Sequence, residues 1–174
     1  MIFAIVGPSG AGKDTLIRGA LAARSDLRLV RRVITRSTAF GGEDFDGVTA
    51  DTFRLRRDRG DFALHWEAHG LSYGIPKAQL DAPGDVIFNG SRAALPLAVR
   101  AFPGLNVILI TAPIAILADR LAQRGRESAA DIRARLSRAT FEIPEGFAFK
   151  TILNDTSPEI GTARLVAALQ PMRA

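Results

Sequence analysis

Short apolar runs alternate with amphipathic stretches along most of the chain. Runs typical of buried strands occur at 2–6, 29–35, 86–88, 107–110 and 149–153. After the first run, the apolar residues from Leu16 to Leu21 recur with the spacing of one helix face. Further helices are predicted at 93–101, 115–124, 130–141 and 158–169. Because strands that are apolar throughout need helices on both faces of their sheet, the pattern predicts an α/β fold with a doubly wound parallel sheet.

Two stretches depart from this alternation. Residues 36–85 are polar and rich in arginine and glycine, and they are too long for a plain connection, so they predict an inserted subdomain. Around 124–130, a charged segment with a glycine joins two predicted helices, which is typical of a mobile lid. We therefore expect a single domain over 1–174 that carries one insertion and one lid.

The composition narrows the class of protein. With 174 residues, 47% of them hydrophobic and 24% charged, the chain can form one globular domain with its own core. It contains no cysteine, which excludes a disulfide framework and thiolate chemistry. The first apolar run ends at Gly7 and Pro8, too early for a membrane span or a signal peptide, so we expect a cytoplasmic protein without membrane contact.

The charge balance points to a negatively charged partner. The net charge is +5, and of the 23 basic residues only Lys13, Lys77 and Lys150 are lysines. The others are arginines, which bind phosphate through a planar fork. Proteins that bind single-stranded nucleic acid usually add stacking aromatic side chains, but this chain has one tryptophan and one tyrosine. We therefore expect a small phosphorylated ligand and no nucleic-acid partner.

A phosphate-binding motif lies between the first predicted strand and the first predicted helix. It reads Gly7, Pro8, Ser9, Gly10, Ala11, Gly12 and Lys13, which matches G-x-x-x-x-G-K in the context that this motif requires. In such a P-loop the backbone N–H groups and the helix N-terminus bind phosphate, and the lysine reaches the β- and γ-phosphates. The motif therefore predicts a P-loop NTPase fold that binds ATP.

One position departs from the usual loop. Asp14 follows the lysine where a serine or threonine ordinarily ligates Mg²⁺, and Thr15 comes one residue later. A carboxylate beside a triphosphate is repelled unless a cation lies between them, which favours Asp14 as a Mg²⁺ ligand, either direct or through water. The alternative is a first-turn acid that only interacts with the helix dipole.

Several motifs together resemble the guanylate-kinase-like nucleoside monophosphate kinases and, more closely, the ribose 1,5-bisphosphate phosphokinases of phosphonate breakdown. The resemblance covers nearly the whole chain, and its most specific parts are the G-K-D ending of the loop and Asn89-Gly90-Ser91-Arg92. It implies transfer of the ATP γ-phosphate, with Mg²⁺, to ribose 1,5-bisphosphate, giving ADP and 5-phosphoribosyl 1-diphosphate. It also implies that the insertion binds the acceptor and that the lid is rich in arginine.

The resemblance assigns roles residue by residue. The ATP site would comprise residues 7–13 with Asp14, Thr15 and Asn154, the last of them near the adenine. The catalytic residues would be Lys13 and the lid-region arginines Arg124, Arg126 and Arg135, which would neutralise the moving phosphoryl group. The acceptor would be bound by Arg36, Glu43, Tyr73, Asn89, Ser91 and Arg92. In this last set, Arg92 suits a second acceptor phosphate.

Several of these assignments have a purely structural alternative. Arg36 is one of many arginines that could be solvated, and Tyr73 could be a half-buried core aromatic. Asn154 could belong to a helix N-terminal turn. His65 and His69 are expected to be structural, because phosphoryl transfer to an acceptor that is already an anion needs little general-base help.

Two competing functions stand beside this hypothesis. Guanylate kinases have a glutamate that binds the guanine edge in the motif F-x-E-W, and the corresponding position here is Leu64. A site without that carboxylate leaves guanine N–H groups unsatisfied, so we expect poor binding of GMP. The other alternative, a peptide-binding scaffold of the same fold, is disfavoured by the intact phosphate loop.

Overall fold

The structure is a computed structural model that describes residues 1–37, 44–81, 83–123, 132–134, 136–137, 143 and 147–170. The strands are β1 (Ile2–Val6), β2 (Leu27–Leu29), β3 (Arg32–Ile34), β4 (Phe45–Gly47), β5 (Phe62–Ala68), β6 (Leu71–Pro76), β7 (Asp85–Asn89), β8 (Asn106–Thr111) and β9 (Phe149–Leu153). The helices are α1 (Lys13–Ala23), α2 (Ala50–Asp58), α3 (Leu95–Ala101), α4 (Ile114–Gln123) and α5 (Pro158–Ala168). Short 3₁₀ turns cover Lys77–Gln79 and Arg92–Ala94.

The central sheet is parallel and has helices on both faces, as the apolar pattern predicts. Its strand order is β2-β7-β1-β8-β9. Along β1 the side chains alternate, so that Phe3 and Ile5 pack with α1, α4 and α5, whereas Ala4 and Val6 pack on the side of α3. Phe3 and Ile5 are fully buried, and burial of such a side chain contributes about 1.5–3 kcal/mol. The strand β1 therefore contributes side chains to the hydrophobic core on both faces of the central sheet.

A second sheet is built largely from the inserted segment. Its order is β4-β3-β6-β5, with β6 antiparallel to both β3 and β5. One face of it, with Leu64, Trp66 and Ile75, packs against the central sheet and α3. The opposite face, with Val33 and Phe62, packs against Phe53 of α2. The second sheet therefore makes apolar contacts through both of its faces.

The predicted strand at 29–35 is wrong as a single element. The chain forms β2 in the central sheet, leaves it after Leu29 and enters the second sheet at Arg32. At the crossing, the backbone N–H of Val30 still donates to the Ile87 carbonyl at 2.9 Å. The next residue, Arg31, is held by the Gln79 side chain, which accepts from its N–H at 2.7 Å and donates to its carbonyl at 3.0 Å. A change of hydrogen-bond partner at Val30 and Arg31 divides the run that the sequence pattern treats as one strand.

Candidate active site

The phosphate loop lies at the carboxyl end of β1 and leads directly into α1. Gly7 has a φ of 151°, and a Cβ built there would lie 2.0 Å from the Ile110 carbonyl oxygen, so this position requires glycine. Gly12 is the N-cap residue of α1 and has no side chain to cap the helix. The N–H groups of the first turn are therefore suited to an anion, as the motif predicts.

Lys13 reaches back over the loop that precedes it. Its Nζ donates hydrogen bonds to the carbonyl oxygens of Gly7 at 2.9 Å and Pro8 at 3.0 Å. The ammonium is therefore held within the loop itself, above the N-terminus of α1. A cation and a row of N–H donors at one point form a cradle that fits the phosphates of a nucleotide.

Asp14 joins the phosphate loop to the end of a neighbouring strand. Its Oδ1 accepts a hydrogen bond of 3.2 Å from Nδ2 of Asn89, the last residue of β7. Within the described residues there is no group of three or more His, Cys, Asp or Glu side chains that could hold a metal ion. One carboxylate beside a phosphate site suits Mg²⁺, which keeps several waters and takes few protein ligands. Thr15, in contrast, is exposed and lines a groove between α1 and α5.

The other predicted acceptor residues that the structure describes are Ser91, Arg92, Tyr73 and Arg36. Ser91 and Arg92 follow β7 and are partly buried, and burial lowers the pKa of the Arg92 guanidinium from its ordinary value. Tyr73 lies on β6, stacked on Trp66 with ring centroids 5.3 Å apart. Arg36 follows β3 with its guanidinium carbon 4.4 Å from the centre of the Phe45 ring. These residues come from three segments of the chain: the end of β3, the strand β6 and the residues after β7.

Arg32 is a cation of this region that the sequence analysis did not select. It lies on β3 and is only 8% exposed, with its guanidinium carbon 5.1 Å from the Tyr73 ring centre and 5.8 Å from that of Trp66. Buried arginine side chains are uncommon unless they are partnered. The signal in the sequence was that Arg32 alternates with Ile34 and therefore shares the face of β3 that is turned toward the core.

Asn154 is buried beneath the phosphate loop. Its side chain is bonded to the Ala11 carbonyl at 2.8 Å, through Nδ2 as donor, and only 4% of the residue is exposed. Arg120 of α4 approaches the loop from another direction, with Nη1 3.5 Å from the Gly10 carbonyl oxygen. The loop is thus contacted by α4, which follows β8, and by the residue that directly follows β9.

Four predicted site residues lie outside the described residues: Glu43, Arg124, Arg126 and Arg135. Their roles, and the lid at 124–130, therefore stay predictions. Arg133, in the region between the predicted lid and Arg135, is exposed.

Leu64 occupies an apolar environment. It is buried on β5 and packs in one apolar cluster with Trp66, Phe88 and Ala4. Its backbone neighbour on β6 is Ile75, which is fully buried. These surroundings offer the polar edge of a guanine base no carboxylate at this position.

Solved structures share the fold. Guanylate kinase from Anaplasma phagocytophilum superposes with a TM-score of 0.72 at 21% identity, covering 97% of this chain and 84% of that one. A sugar kinase from Janibacter superposes with a TM-score of 0.53 at 17% identity.

Along the described residues, no helix has both the length and the apolar character that a membrane span requires.

Curated relatives match at higher identity. Ribose 1,5-bisphosphate phosphokinase PhnN of Agrobacterium fabrum is 46% identical over 95% of this chain and 94% of that protein, and the Rhizobium etli protein of the same name is 43% identical over 98% and 89%. A bifunctional ribose 1,5-bisphosphokinase-thymidine phosphorylase of Cupriavidus necator is 44% identical, but the chain spans only 29% of its length. No family model matches the chain. The near full-length matches establish that the chain belongs to the ribose 1,5-bisphosphate phosphokinases, a family of kinases.

Proposed function

We propose that this chain transfers the γ-phosphoryl group of ATP to ribose 1,5-bisphosphate, giving ADP and 5-phosphoribosyl 1-diphosphate. The observation that carries the proposal is the hydrogen bond between Asn89 and Asp14, which joins the phosphate loop to the Asn89–Arg92 segment. A nucleotide on the loop and an anionic acceptor on that segment would therefore be neighbours. The relatives named ribose 1,5-bisphosphate phosphokinase, which match over 95% and 98% of this chain, support the proposal.

In this reaction an oxygen of the acceptor's 1-phosphate attacks the γ-phosphorus. A new P–O bond forms, the bond from the γ-phosphorus to the β,γ-bridging oxygen breaks, and ADP leaves with that oxygen. Catalysis rests mainly on positioning and charge neutralisation, because the attacking oxygen is already anionic. Lys13 and the loop N–H groups would hold the β- and γ-phosphates, and Arg124, Arg126 and Arg135 would neutralise the moving group.

The acceptor phosphates would be held by cations at the border of the two sheets. Arg36 and Arg92 are the predicted ligands, and Arg32, stacked on Tyr73, is a third arginine of this region. Asn89 and Ser91 would add neutral hydrogen-bonding groups, and Glu43 would bind a ribose hydroxyl. Arginine suits these positions because its planar fork binds two phosphate oxygens at once.

Asp14 would hold Mg²⁺ directly or through water, in place of the usual serine or threonine. When bound, the ion supplies charge neutralisation for the β- and γ-phosphate oxygens. Asn89 would orient the Asp14 carboxylate for this task through the hydrogen bond already present.

The experiment is to incubate the protein with ATP and Mg²⁺ and to offer ribose 1,5-bisphosphate and GMP in separate reactions. Phosphorus NMR then distinguishes the diphosphate of 5-phosphoribosyl 1-diphosphate from GDP. We expect the sugar diphosphate to accumulate and GDP to stay at background, because Leu64 offers no partner to guanine. Accumulation of GDP as the main product would instead establish the alternative, a guanylate kinase.

A further inference from the structure

Asn154 lies between the phosphate loop and the last helix, immediately after β9. Its backbone N–H donates to the Thr111 carbonyl at 2.8 Å, which fixes the main chain against the end of β8. Its side-chain Nδ2 donates to the Ala11 carbonyl at 2.8 Å. Its Oδ1 is buried and has no hydrogen-bond partner among the described residues. The Asn154 side chain therefore contacts the loop through one hydrogen bond, which its Nδ2 donates.

The Asn154 amide fits between two glycines, whose lack of a side chain leaves room for it. A Cβ at Gly12, where φ is +87°, would lie 2.5 Å from Nδ2 of Asn154. A Cβ at Gly161, on α5, would lie 2.6 Å from its Oδ1. Real Cβ atoms do not approach other atoms so closely, so the amide plane is clamped between the loop on one side and the helix on the other.

The hydrogen bond to Ala11 fixes the direction of a neighbouring donor. The carbonyl of Ala11 and the N–H of Gly12 belong to one planar, trans peptide, so they point in opposite directions. Because Asn154 holds the carbonyl toward the protein interior, the Gly12 N–H is directed away from it, to the other side of the loop. Glycine at the N-cap is conformationally free by itself, so an external contact is needed to hold this orientation.

We infer that Asn154 is a positioning residue that presets the phosphate loop for the nucleotide's phosphates, and that α5 holds it in place through Gly161. It acts through the Ala11–Gly12 peptide and makes no contact with the adenine base. The inference rests on the proposed function only in that the loop binds a nucleotide. It assigns to the last helix a part in phosphate binding, although that helix lies on the outer layer of the fold.

Two variants disturb the same contact by different routes. Asn154→Ala removes the donor to the Ala11 carbonyl, whereas Gly161→Ala keeps every polar group but drives a methyl group against Oδ1. A matched control is Gly19→Ala on α1, whose Cβ would lie 2.3 Å from Thr162 Oγ1 in the same helix–helix contact without touching Asn154. All three should lower the thermal midpoint, and only the first two should alter the loop.

The readout is calorimetric binding of ATP and, separately, of inorganic tripolyphosphate, below the thermal midpoint of each variant. We expect Asn154→Ala and Gly161→Ala to weaken both ligands by about tenfold, the loss expected for one misplaced hydrogen-bond donor. Tripolyphosphate has no base, so an equal loss for both ligands reports on the loop. Gly19→Ala should bind both as the parent does. Turnover of the sugar substrate is not involved, so an error in the proposed acceptor would leave this result unchanged.

Two results would overturn the inference. Weaker binding of ATP with unchanged binding of tripolyphosphate would make Asn154 a base-contacting residue. Parental binding of both ligands by Gly161→Ala, at a thermal midpoint no higher than that of Gly19→Ala, would make the contact a matter of packing alone. If Asn154→Ala does not fold, Asn154→Ser together with Gly161→Ala decides between these results.

Discussion

The parallel strands of the central sheet begin at one edge, the amino edge, and end at the other, the carboxyl edge. The charged side chains at these two edges have different kinds of partner. At the amino edge, Arg24 follows α1 and forms ion pairs with Asp26 and, at 2.7 Å, with Asp85. At the carboxyl edge, Lys13 donates to backbone carbonyl oxygens, and Asp14 accepts from the neutral Asn89. The ion pairs at the first edge neutralise each other's charge, whereas the hydrogen bonds described at the second edge each join a charged side chain to a neutral group. The first arrangement serves stability, and the second is suited to binding and chemistry.

The largest expected effect is at the carboxyl edge. Lys13→Ala removes the cation that would face the β- and γ-phosphates, and kcat should fall by about 10²–10³-fold. The measurement is steady-state production of ADP with ribose 1,5-bisphosphate. Lys77→Ala, an exposed lysine outside the site, is the matched control and should keep the parental rate. A Lys13→Ala protein with full turnover would remove the basis of the proposed mechanism.

Asp14→Asn tests the second charge of the same edge. The substitution keeps the shape of the side chain and its place beside Asn89 but removes the carboxylate. If Asp14 holds Mg²⁺, the concentration of Mg²⁺ for half-maximal activity should rise by about 10–100-fold, as is typical for groups that bind or orient a metal. If Asp14 interacts only with the helix dipole, the Mg²⁺ dependence stays parental and stability alone falls, by about 0.3–1 kcal/mol.

A smaller effect is expected for Arg32, at the border of the two sheets. Arg32→Met keeps much of the apolar contact with Tyr73 and Trp66 but removes the guanidinium. The KM for ribose 1,5-bisphosphate should rise by about tenfold, while the KM for ATP should change little, because a charged hydrogen bond to the acceptor is lost. Equal changes in both KM values would instead indicate a general disturbance of the fold, and thermal unfolding provides the check.

The smallest effect on activity is expected at the amino edge. Burial raises the pKa of Asp85, but hydrogen bonds from the Met1 ammonium and Arg24 together lower it below its ordinary value of 3.8. The ionised carboxylate therefore stabilises the fold above that value, and this stabilisation is lost as the pH falls through the lower pKa of the folded protein.

Asp85→Asn should therefore reduce stability at pH 7, by about 1–3 kcal/mol, and make it less dependent on pH below about 4. Denaturant unfolding at several pH values measures both changes, while kcat should stay parental. A large loss of kcat in a folded Asp85→Asn protein would contradict the division of labour between the two edges.

Local patterns were sufficient for the parts of the fold that are adjacent in sequence. The phosphate loop, with β1 before it and α1 after it, was predicted because strand, glycine motif and helix follow one another within 23 residues. The strand at 29–35 was wrong, since the choice between two sheets depends on distant partners such as Ile87 and Gln79.

Sequence motifs were enough to select candidate residues for the site. They did not report the contacts that depend on tertiary packing. Arg32 is one arginine among many until β3 turns it toward Tyr73. The contact of Asn154 with the loop joins residues 143 positions apart, which no spacing rule reports. The resemblance placed Asn154 near the nucleotide, but the way in which it contacts the loop follows only from the packing of Gly12 and Gly161.

The double hydrogen bond between Gln79 and Arg31 fastens the beginning of the second sheet to its end. Gln79 lies just before β7, and Arg31 lies just after β2, so the chain leaves the central sheet and returns to it at one place. The chain between them is therefore a segment whose two ends lie side by side, inserted between β2 and β7, which are neighbours in the central sheet. Replacing this segment would exchange the predicted acceptor residues Arg36, Glu43 and Tyr73 and would leave Asn89, Ser91 and Arg92 in place.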